Sequence, residues 1–288
     1  MSNTTVKAAL LLEGGALRSV YTAGVLDVFM ENDLYFEYVI GVSAGALIGT
    51  NYISKQPGRS ILFNIEHRND PRYIGLKHWI FDGSIFNFDF LFGKDGNELT
   101  PYDFNMLKNT NQRFLVEATN CITGKSDYFE RYEYNALTEA LRASSSLPFL
   151  SRISYVDGVP YIDGGISNTV PVEKAIADGY KKIIVILTRR KGYRRKENHA
   201  INRIYDIYYK KYPNLIQLMK NSANRYNSKR ALLDQLEQEK KIIIICPKTN
   251  LNVGRVECSK DKLRLLYHEG KEDGRNSLST ILKYISDV

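Results

Sequence analysis

A serine flanked by glycines is the clearest candidate for chemistry in this sequence. Residues 41–45 read Gly-Val-Ser-Ala-Gly, with an apolar run before them and small or apolar residues after them. This layout is typical of a nucleophile elbow, in which a buried strand turns sharply into a helix. Gly41 and Gly45 would leave room where the strand and the helix cross. The pattern predicts that Ser43 is a nucleophile, and a glycine-rich turn that only packs tightly is the alternative.

A serine hydroxyl is a poor nucleophile, so it needs a base within hydrogen-bond distance. Asp163 ends an apolar run, and Gly164 and Gly165 after it would let this strand end approach another backbone closely. The four histidines lie in no comparable context: His67, His78, His199 and His268. We therefore expect a Ser43–Asp163 dyad that uses no histidine.

A second glycine-rich turn offers hydrogen-bond donors for an oxyanion. Residues 13–18 read Glu-Gly-Gly-Ala-Leu-Arg, between a predicted strand and a predicted helix. The amides of Gly14, Gly15 and Ala16 would form an oxyanion hole, and Arg18 would add charge or brace the loop. A phosphate-binding turn is the alternative. The stretch lacks the Lys-Ser/Thr of a P-loop and the full Gly-x-Gly-x-x-Gly spacing.

Strands and helices that alternate along the chain would position these residues. The main predicted strands are 6–12, 38–42, 112–119, 125–129, 153–156, 159–162, 182–187 and 242–246. The main predicted helices are 20–31, 44–53, 135–144, 171–178 and the region from 261 onward. This order indicates an α/β fold with a mostly parallel sheet. Ligand sites gather at the carboxyl ends of such strands, where both glycine turns would lie.

Two further stretches each have two interpretations. Phenylalanines alternate from Phe86 to Phe92, which suits a strand or an extended cover. Core packing is the favoured use of these rings, and the wall of an acyl pocket is the alternative. Basic residues cluster at 189–191 and 194–196. For them a solvated surface loop is favoured over a site for phosphate head groups or RNA.

The composition is that of an ordinary globular protein of 288 residues. The net charge of +8 permits peripheral contact with an anionic membrane surface, although no motif predicts specific nucleic-acid binding. Three cysteines at unrelated spacings indicate neither a disulfide framework nor a zinc site, and favour the cytoplasm. No apolar stretch approaches the roughly 20 residues of a membrane-spanning helix. We expect neither a metal nor a cofactor.

The glycine loop, the serine elbow and the Asp-Gly-Gly stretch, in this order, resemble the patatin-like phospholipases. Stretches 21–27, 143–148 and 247–267 are also similar to the family. The resemblance implies a three-layer α/β/α fold and a serine–aspartate dyad that hydrolyses acyl esters of lipids. In that scheme Ser43 is the nucleophile and Asp163 the base. It also implies a single domain over residues 1–288, with the motifs in a core of about 6–190 and an extension from about 191 to 288.

Two positions depart from the family pattern, which usually has glycine where Ala16 and Ser19 stand. An alanine still donates its amide if its backbone avoids the angles that only glycine adopts. The sequence leaves two other functions open. One is an esterase of the α/β-hydrolase type, with a triad completed by His199 or His268. The other is a lipid-binding scaffold that keeps the pocket and has lost turnover.

Overall fold

The protein is described by a computed structural model over residues 5–81, 83–249 and 252–287. A central sheet of eight strands runs through these ranges. In chain order the strands are β1 (Val6–Leu12), β2 (Phe36–Val42), β3 (Arg113–Asn120), β4 (Ser126–Phe129), β5 (Ser154–Val156), β6 (Val159–Asp163), β7 (Ile183–Ile186) and β8 (Ile242–Ile245).

The sheet is mostly parallel. Its order is β5-β6-β3-β2-β1-β7-β8, and β4 also pairs with β3. The five strands from β3 to β8 along this order are parallel, whereas β4 and β6 are antiparallel to β3 and β5 is antiparallel to β6. Because β1 and β2 are parallel neighbours, the turns that follow them lie at the same edge of the sheet. The predicted fold class is confirmed.

Helices connect and cover the strands. They are α1 (Val20–Glu31), α2 (Ala44–Ile53), α3 (Arg59–Ile61), α4 (Leu76–Phe81), α5 (Phe88–Phe92), α6 (Lys94–Leu99), α7 (Phe104–Lys108), α8 (Tyr134–Ser144), α9 (Val172–Ala177), α10 (Asn202–Tyr208), α11 (Pro213–Lys220), α12 (Ser222–Gln238) and α13 (Lys260–Ser286). In the described ranges, none of these helices has the length and apolar character needed to cross a membrane.

Both faces of the sheet are buried, because its central strands are apolar on both sides. Along β1, Ala8, Leu10 and Leu12 pack into one core with α1, α2 and α13. Ala9 and Leu11 point the other way and pack into a second core with α9 and α12. Strands covered on both faces are near-continuous apolar runs, as the sequence of β1 is. The result is the three-layer arrangement of helices, sheet and helices that was predicted.

The last helix packs directly on the first. A Cβ on Gly24 would lie 2.2 Å from the Tyr267 carbonyl oxygen, and one on Gly270 would lie 2.1 Å from that of Tyr21. The two backbones can approach this closely only because both positions are glycine. Tyr21 also donates a hydrogen bond to Asp273 Oδ2 at 2.9 Å. Helix α13 thereby supports α1, the helix that follows the glycine loop.

The stretch between α2 and β3 departs most from the sequence prediction. Phe88–Phe92 form the short helix α5, so the predicted strand or extended cover is wrong there. Asn87 caps this helix by accepting a hydrogen bond from the Phe90 amide at 2.9 Å. The rings of Phe88 and Phe92, one turn apart, are 6.2 Å from each other. Residues four apart share one face of a helix, so the spacing of these rings suits a helix as well.

Candidate active site

Ser43 occupies a sharp turn between β2 and α2. Its φ of 54° and ψ of −128° are unusual for a residue with a side chain, a strain worth about 1–3 kcal/mol. The glycines on either side permit the turn. A Cβ on Gly41 would lie 2.4 Å from Ala46 Cα, and one on Gly45 would lie 2.4 Å from the Leu12 carbonyl oxygen. This local geometry is that of a nucleophile elbow.

The hydroxyl of Ser43 donates a hydrogen bond to the carboxylate of Asp163. Ser43 Oγ and Asp163 Oδ2 are 2.5 Å apart, and both residues are buried. The other carboxylate oxygen, Oδ1, accepts the Gly165 amide at 2.9 Å. A Cβ on Gly164 would lie 2.4 Å from the Glu117 carbonyl oxygen, so this glycine lets the end of β6 approach β3. The structure thus places the two residues of the predicted dyad in contact.

The surroundings of Asp163 make it a stronger base than an exposed aspartate. Burial raises the pKa of its carboxyl group, because the charged form loses contact with water. The hydrogen bond from Ser43 and the positive charges of Arg255 and Arg195 act in the opposite direction. The effect of burial is the larger one, so the pKa lies above its ordinary value.

The glycine loop lies against the elbow and presents free amides. A Cβ on Gly14 would lie 2.8 Å from Ser43 Cβ, and one on Gly15 would lie 2.7 Å from Thr188 Oγ1. In the described part of the chain, the amides of Gly14, Gly15 and Ala16 donate no hydrogen bond. Unused donors beside a nucleophile are what an oxyanion hole requires.

Arg18 was predicted to add charge beside this loop, and it lies in the short 3₁₀ helix Ala16–Ser19. Burial, followed by the positive charges of Arg189 and Arg255, lowers the pKa of its guanidinium to about 10. Arg18 is therefore still a cation at neutral pH. It lines a cavity that contains Thr188, whereas Ser43 lines a different one. Arg18 thus belongs to the loop region but does not line the cavity of Ser43.

Two residues that the sequence analysis missed brace the site. Thr188 donates from its amide and its hydroxyl to Glu13 Oε2, at 2.6 and 3.0 Å, which fixes the start of the glycine loop. The Ser43 amide donates to Ser144 Oγ at 2.8 Å. Thr188 is a polar residue directly after β7, at the same sheet edge as Ser43, and that position is the signal that was available.

The four histidines make their contacts elsewhere. Their partners are Phe63 for His67, Pro71 for His78, Glu197 for His199 and Tyr267 for His268. None of these contacts involves Ser43 or Asp163. The positions of the histidines therefore give no support to the triad alternative.

A narrow apolar cavity opens at Ser43. Leu17 and Leu47 line it, and so do six aromatic side chains: Phe63, Tyr73, Phe86, Phe88, Phe92 and Tyr102. Its polar lining residues include Asn51, Arg59 and Asn64. Phe63 belongs to the π-helical turn Leu62–Glu66, a rare conformation that is frequent at functional sites. Of the alternating phenylalanines, three line this cavity, whereas Phe90 packs in a small core with Phe63. Phe86 and Phe92 also pack against hydrophobic cores, so the two interpretations of this stretch overlap at these rings.

Ala16 has a φ of 50°, in the left-handed region that favours glycine. We expect Ala16→Val to lower the free energy of unfolding by more than about 1 kcal/mol, because a β-branched side chain is strained there. Ala16→Gly should change it by less than about 1 kcal/mol, since the relief of strain is offset by the greater freedom of the unfolded chain. Urea denaturation measures both values.

The matched control is Ala200→Val, at an exposed position in the 3₁₀ helix His199–Ile201. Its free energy of unfolding should stay within about 0.5 kcal/mol of the unsubstituted protein. Equal losses for Ala16→Val and Ala200→Val would contradict the assignment of strain to the loop.

The chain is similar to several known proteins. A family model described as patatin-like phospholipase matches residues 10–176. A second, described as a domain of unknown function (DUF6363), matches residues 212–286. Uncharacterized protein YjjU of Escherichia coli K12 is 31% identical over an alignment of 192 residues, and the match covers 63% of this chain and 52% of YjjU. The chain thus spans about half the length of this curated relative.

Among solved structures, VipD from Legionella pneumophila aligns with 96% of this chain and 67% of its own, at 13% identity and a TM-score of 0.46.

The first of these matches covers more than half of the chain. It begins in β1 and ends in α9, so it contains the glycine loop, the elbow and both residues of the dyad. At the level of the family, lipid acyl hydrolysis is the activity that this match supports. The chain belongs to the patatin-like phospholipase family.

Proposed function

We propose that this protein is a serine hydrolase that cleaves acyl esters of lipids, of the phospholipase A or lysophospholipase type. The observation that carries the proposal is the 2.5 Å hydrogen bond from Ser43 Oγ to the buried carboxylate of Asp163. A nucleophile that donates to a base, with unused amides beside it, has the parts that acyl transfer needs.

In the proposed mechanism, Asp163 takes the hydroxyl proton of Ser43 as Oγ attacks the ester carbonyl carbon. The carbonyl oxygen becomes an oxyanion, which the amides of Gly14, Gly15 and Ala16 stabilise. Asp163 then gives the proton to the leaving alkoxide, which departs as an alcohol and leaves Ser43 acylated. A water molecule, deprotonated by the same carboxylate, attacks the acyl group. Asp163 then gives the proton of that water to Ser43 Oγ as the acyl–serine bond breaks, which releases the fatty acid and restores both residues.

The substrate class follows from the shape and lining of the cavity. Its lining is mainly apolar and contains Ser43 together with a set of aromatic rings. Binding sites for apolar ligands are concave and lined mainly by such side chains. An acyl chain in this cavity would bring its ester carbonyl to Ser43.

We also propose that residues 1–288 act as one domain. The segment that matches DUF6363 includes α13, which packs backbone to backbone on α1. The same segment includes Arg255, whose carbonyl oxygen accepts the Leu17 amide at 3.3 Å. The charge of Arg255 also acts on Asp163. These contacts join the C-terminal extension to the active-site loop.

A fluorophosphonate probe tests the hydrolase proposal, because it phosphonylates serines that are activated as nucleophiles. We expect a single adduct, which mass spectrometry of the digested protein should locate on Ser43. Ser145 lines the same cavity and is the internal control, since it should remain unlabelled. An adduct on Ser145 instead of Ser43 would reject Ser43 as the nucleophile. No adduct on the folded protein would reject the hydrolase and favour the lipid-binding scaffold.

We further propose that the protein binds peripherally to anionic membranes through a patch of exposed apolar side chains, the apolar rim. The rim consists of exposed side chains of α4 and α10: Trp79, Ile80, Phe81, Ile204, Ile207 and Tyr208. The two helices meet at Phe149, whose carbonyl oxygen accepts Trp79 Nε1 at 2.7 Å and whose ring stacks on Tyr205 at 5.6 Å. Exposed basic residues flank the rim: Lys77, Arg203, Lys210 and Lys211. Apolar groups beside basic ones suit a surface of anionic lipid.

Ile207 is 75% exposed at the rim, so its replacement by aspartate tests this contact. We expect Ile207→Asp to weaken binding to phosphatidylglycerol vesicles about tenfold or more, because burial of such a side chain is worth about 1.5–3 kcal/mol. Vesicle sedimentation measures the binding. Ile176→Asp on α9, outside the rim, is the matched control. Equal binding by the two variants would contradict the proposed surface.

A further inference from the structure

A second cavity lies beside the dyad and differs in character from the apolar one. It has a volume of about 490 Å³ and is lined at one end by Gly165, whose amide donates to Asp163. Its lining is polar and contains three cations, Arg195, Arg225 and Lys229. The cavity is thus close to the Ser43–Asp163 pair. The charge of its lining residues determines which ligands it can bind.

One of the three cations is neutralised inside the cavity. Lys229 Nζ is paired with both carboxylate oxygens of Glu173. Within the described ranges, Arg195 and Arg225 form no salt bridge. Glu13 and Asp163 interact with Arg195 through their charges, but the Glu13 carboxylate already accepts two hydrogen bonds from Thr188, and the Asp163 carboxylate accepts those of Ser43 and Gly165. Two guanidinium groups therefore lack a counter-ion of their own.

The guanidinium of Arg225 is only partly hydrogen-bonded. Its Nη2 donates to the Ile166 carbonyl oxygen, whereas its Nε and Nη1 are buried without a hydrogen-bond partner among the described residues. Burial, and then the charge of Arg195, lowers the pKa of Arg225 to about 10, so it is a cation at neutral pH. A buried charge without a partner is costly. An anion between the two arginines would lower that cost.

Arg195 is held in place for such an anion. Its guanidinium lies 4.1 Å from the centre of the Tyr226 ring, which leaves the in-plane N–H groups able to meet a ligand edge-on. Its backbone amide donates to Asn227 Oδ1 at 2.8 Å, and Asn227 Nδ2 donates back to its carbonyl oxygen at 3.0 Å. Arg225, Tyr226 and Asn227 are consecutive on α12, so one helix positions both cations.

This geometry corrects the favoured interpretation of the basic stretch 194–196 as a solvated loop. Arg194 fits that interpretation, because it is exposed and pairs with Asp234 at 2.9 Å. Arg195 does not, because it is partly buried and stacked on Tyr226.

A tetrahedral oxyanion is the ligand that this pair of arginines fits. Guanidinium groups bind phosphate through two parallel hydrogen bonds, and Ser167 and Asn168 line the same cavity as neutral partners. In a glycerophospholipid only a few bonds separate the acyl ester from the phosphate. We propose that Arg195 and Arg225 bind the phosphate group of a phospholipid head group while its ester lies at Ser43. The inference rests on the proposed hydrolase function and names its substrate class.

The site joins three parts of the chain. Gly165 and Ser167 belong to the segment that matches the patatin-like family, and Arg225 to the segment that matches DUF6363. Arg195 lies between the two matches. The proposal therefore gives the domain of unknown function a role, which is to supply head-group contacts to the neighbouring active site.

The first arm of the test measures binding of inorganic phosphate by thermal shift, with chloride at equal ionic strength as reference. The full chain is compared with Arg195→Gln, Arg225→Gln and the matched control Arg194→Gln. We expect phosphate to raise the Tm of the unsubstituted protein and of Arg194→Gln, but not of the other two variants. Equal phosphate shifts in all four proteins would overturn the proposal. If Arg225→Gln does not fold, Arg195→Gln and the charge-preserving Arg225→Lys give the result, with a partial shift expected for the latter.

The second arm decides whether that phosphate belongs to a lipid. It compares kcat/KM for a short-chain phosphatidylglycerol with kcat/KM for the diacylglycerol that has the same acyl chains. We expect the ratio to fall about tenfold or more in Arg195→Gln and Arg225→Gln, mainly through KM, and to be unchanged in Arg194→Gln. A lost phosphate shift with an unchanged ratio would mean that the cavity binds free phosphate, which also overturns the proposal. Absence of any ester hydrolysis by the unsubstituted protein would instead reject the proposed function, and the first arm would still decide whether the anion site exists.

Discussion

Replacement of Ser43 by alanine is expected to lower kcat for a p-nitrophenyl acyl ester by at least about 10³-fold. The loss is large because the substitution removes the atom that forms the bond to the acyl group. What remains is the stabilisation provided by the free amides of the glycine loop and by substrate binding. Initial rates at saturating ester measure the effect directly.

The Ser43→Ala protein should stay folded. The Ser43 backbone amide, not its side chain, makes the hydrogen bond to Ser144, so alanine keeps that contact. Ser54→Ala is the control, because Ser54 is also a buried serine and directly follows α2, whereas Ser43 directly precedes it. A folded Ser43→Ala protein with wild-type turnover would eliminate Ser43 as the nucleophile.

Replacement of Asp163 by asparagine is expected to lower kcat by about 10²–10⁴-fold, the usual contribution of a general base. Asparagine keeps the size of the side chain and an oxygen that can accept the Gly165 amide. It cannot accept the proton of Ser43. Folding should not suffer, because burial raises the pKa of Asp163, which means that its charge is unfavourable in the folded state.

The pH dependence of kcat/KM provides a second readout for Asp163. The base acts only when it is ionised, so activity should fall as the pH decreases through its raised pKa. That fall should lie above the value of about 3.9 for an ordinary aspartate. Alanine substitutions at His67, His78, His199 and His268 are the matched controls. If His199→Ala or His268→Ala removed activity as fully as Asp163→Asn, the triad would replace the dyad.

The elements that the sequence predicted best are those with long apolar runs between glycine turns. Helices α1 and α2 begin and end at the residues that the pattern indicated. The segment from 59 to 108 was predicted poorly, because its helices α3 to α7 have three to six residues each and give no clear period. Contacts far along the chain hold them, such as the hydrogen bond of Arg59 Nη2 to the Thr100 carbonyl oxygen at 3.0 Å.

The residues of the candidate site also divide into those that the sequence predicts and those that it does not. Ser43 and Asp163 could be predicted from the sequence because glycines lie next to each of them in the chain. Glycines are typical of places where a strand end approaches another backbone closely. Arg195 and Arg225 could not be found in this way. Arginines are common on surfaces, and their proximity depends on how α12 packs beside the end of β6.

The backbone contact between α1 and α13 has a consequence for folding. Gly24 and its partners on α13, Tyr267 and Gly270, are far apart in the chain. Contacts between such distant residues form slowly, because a long loop must close first. The glycine loop that precedes α1 therefore has its full support only after α13 has packed on α1. During refolding from denaturant, this loop should accordingly be among the last parts of the protein to reach its native conformation.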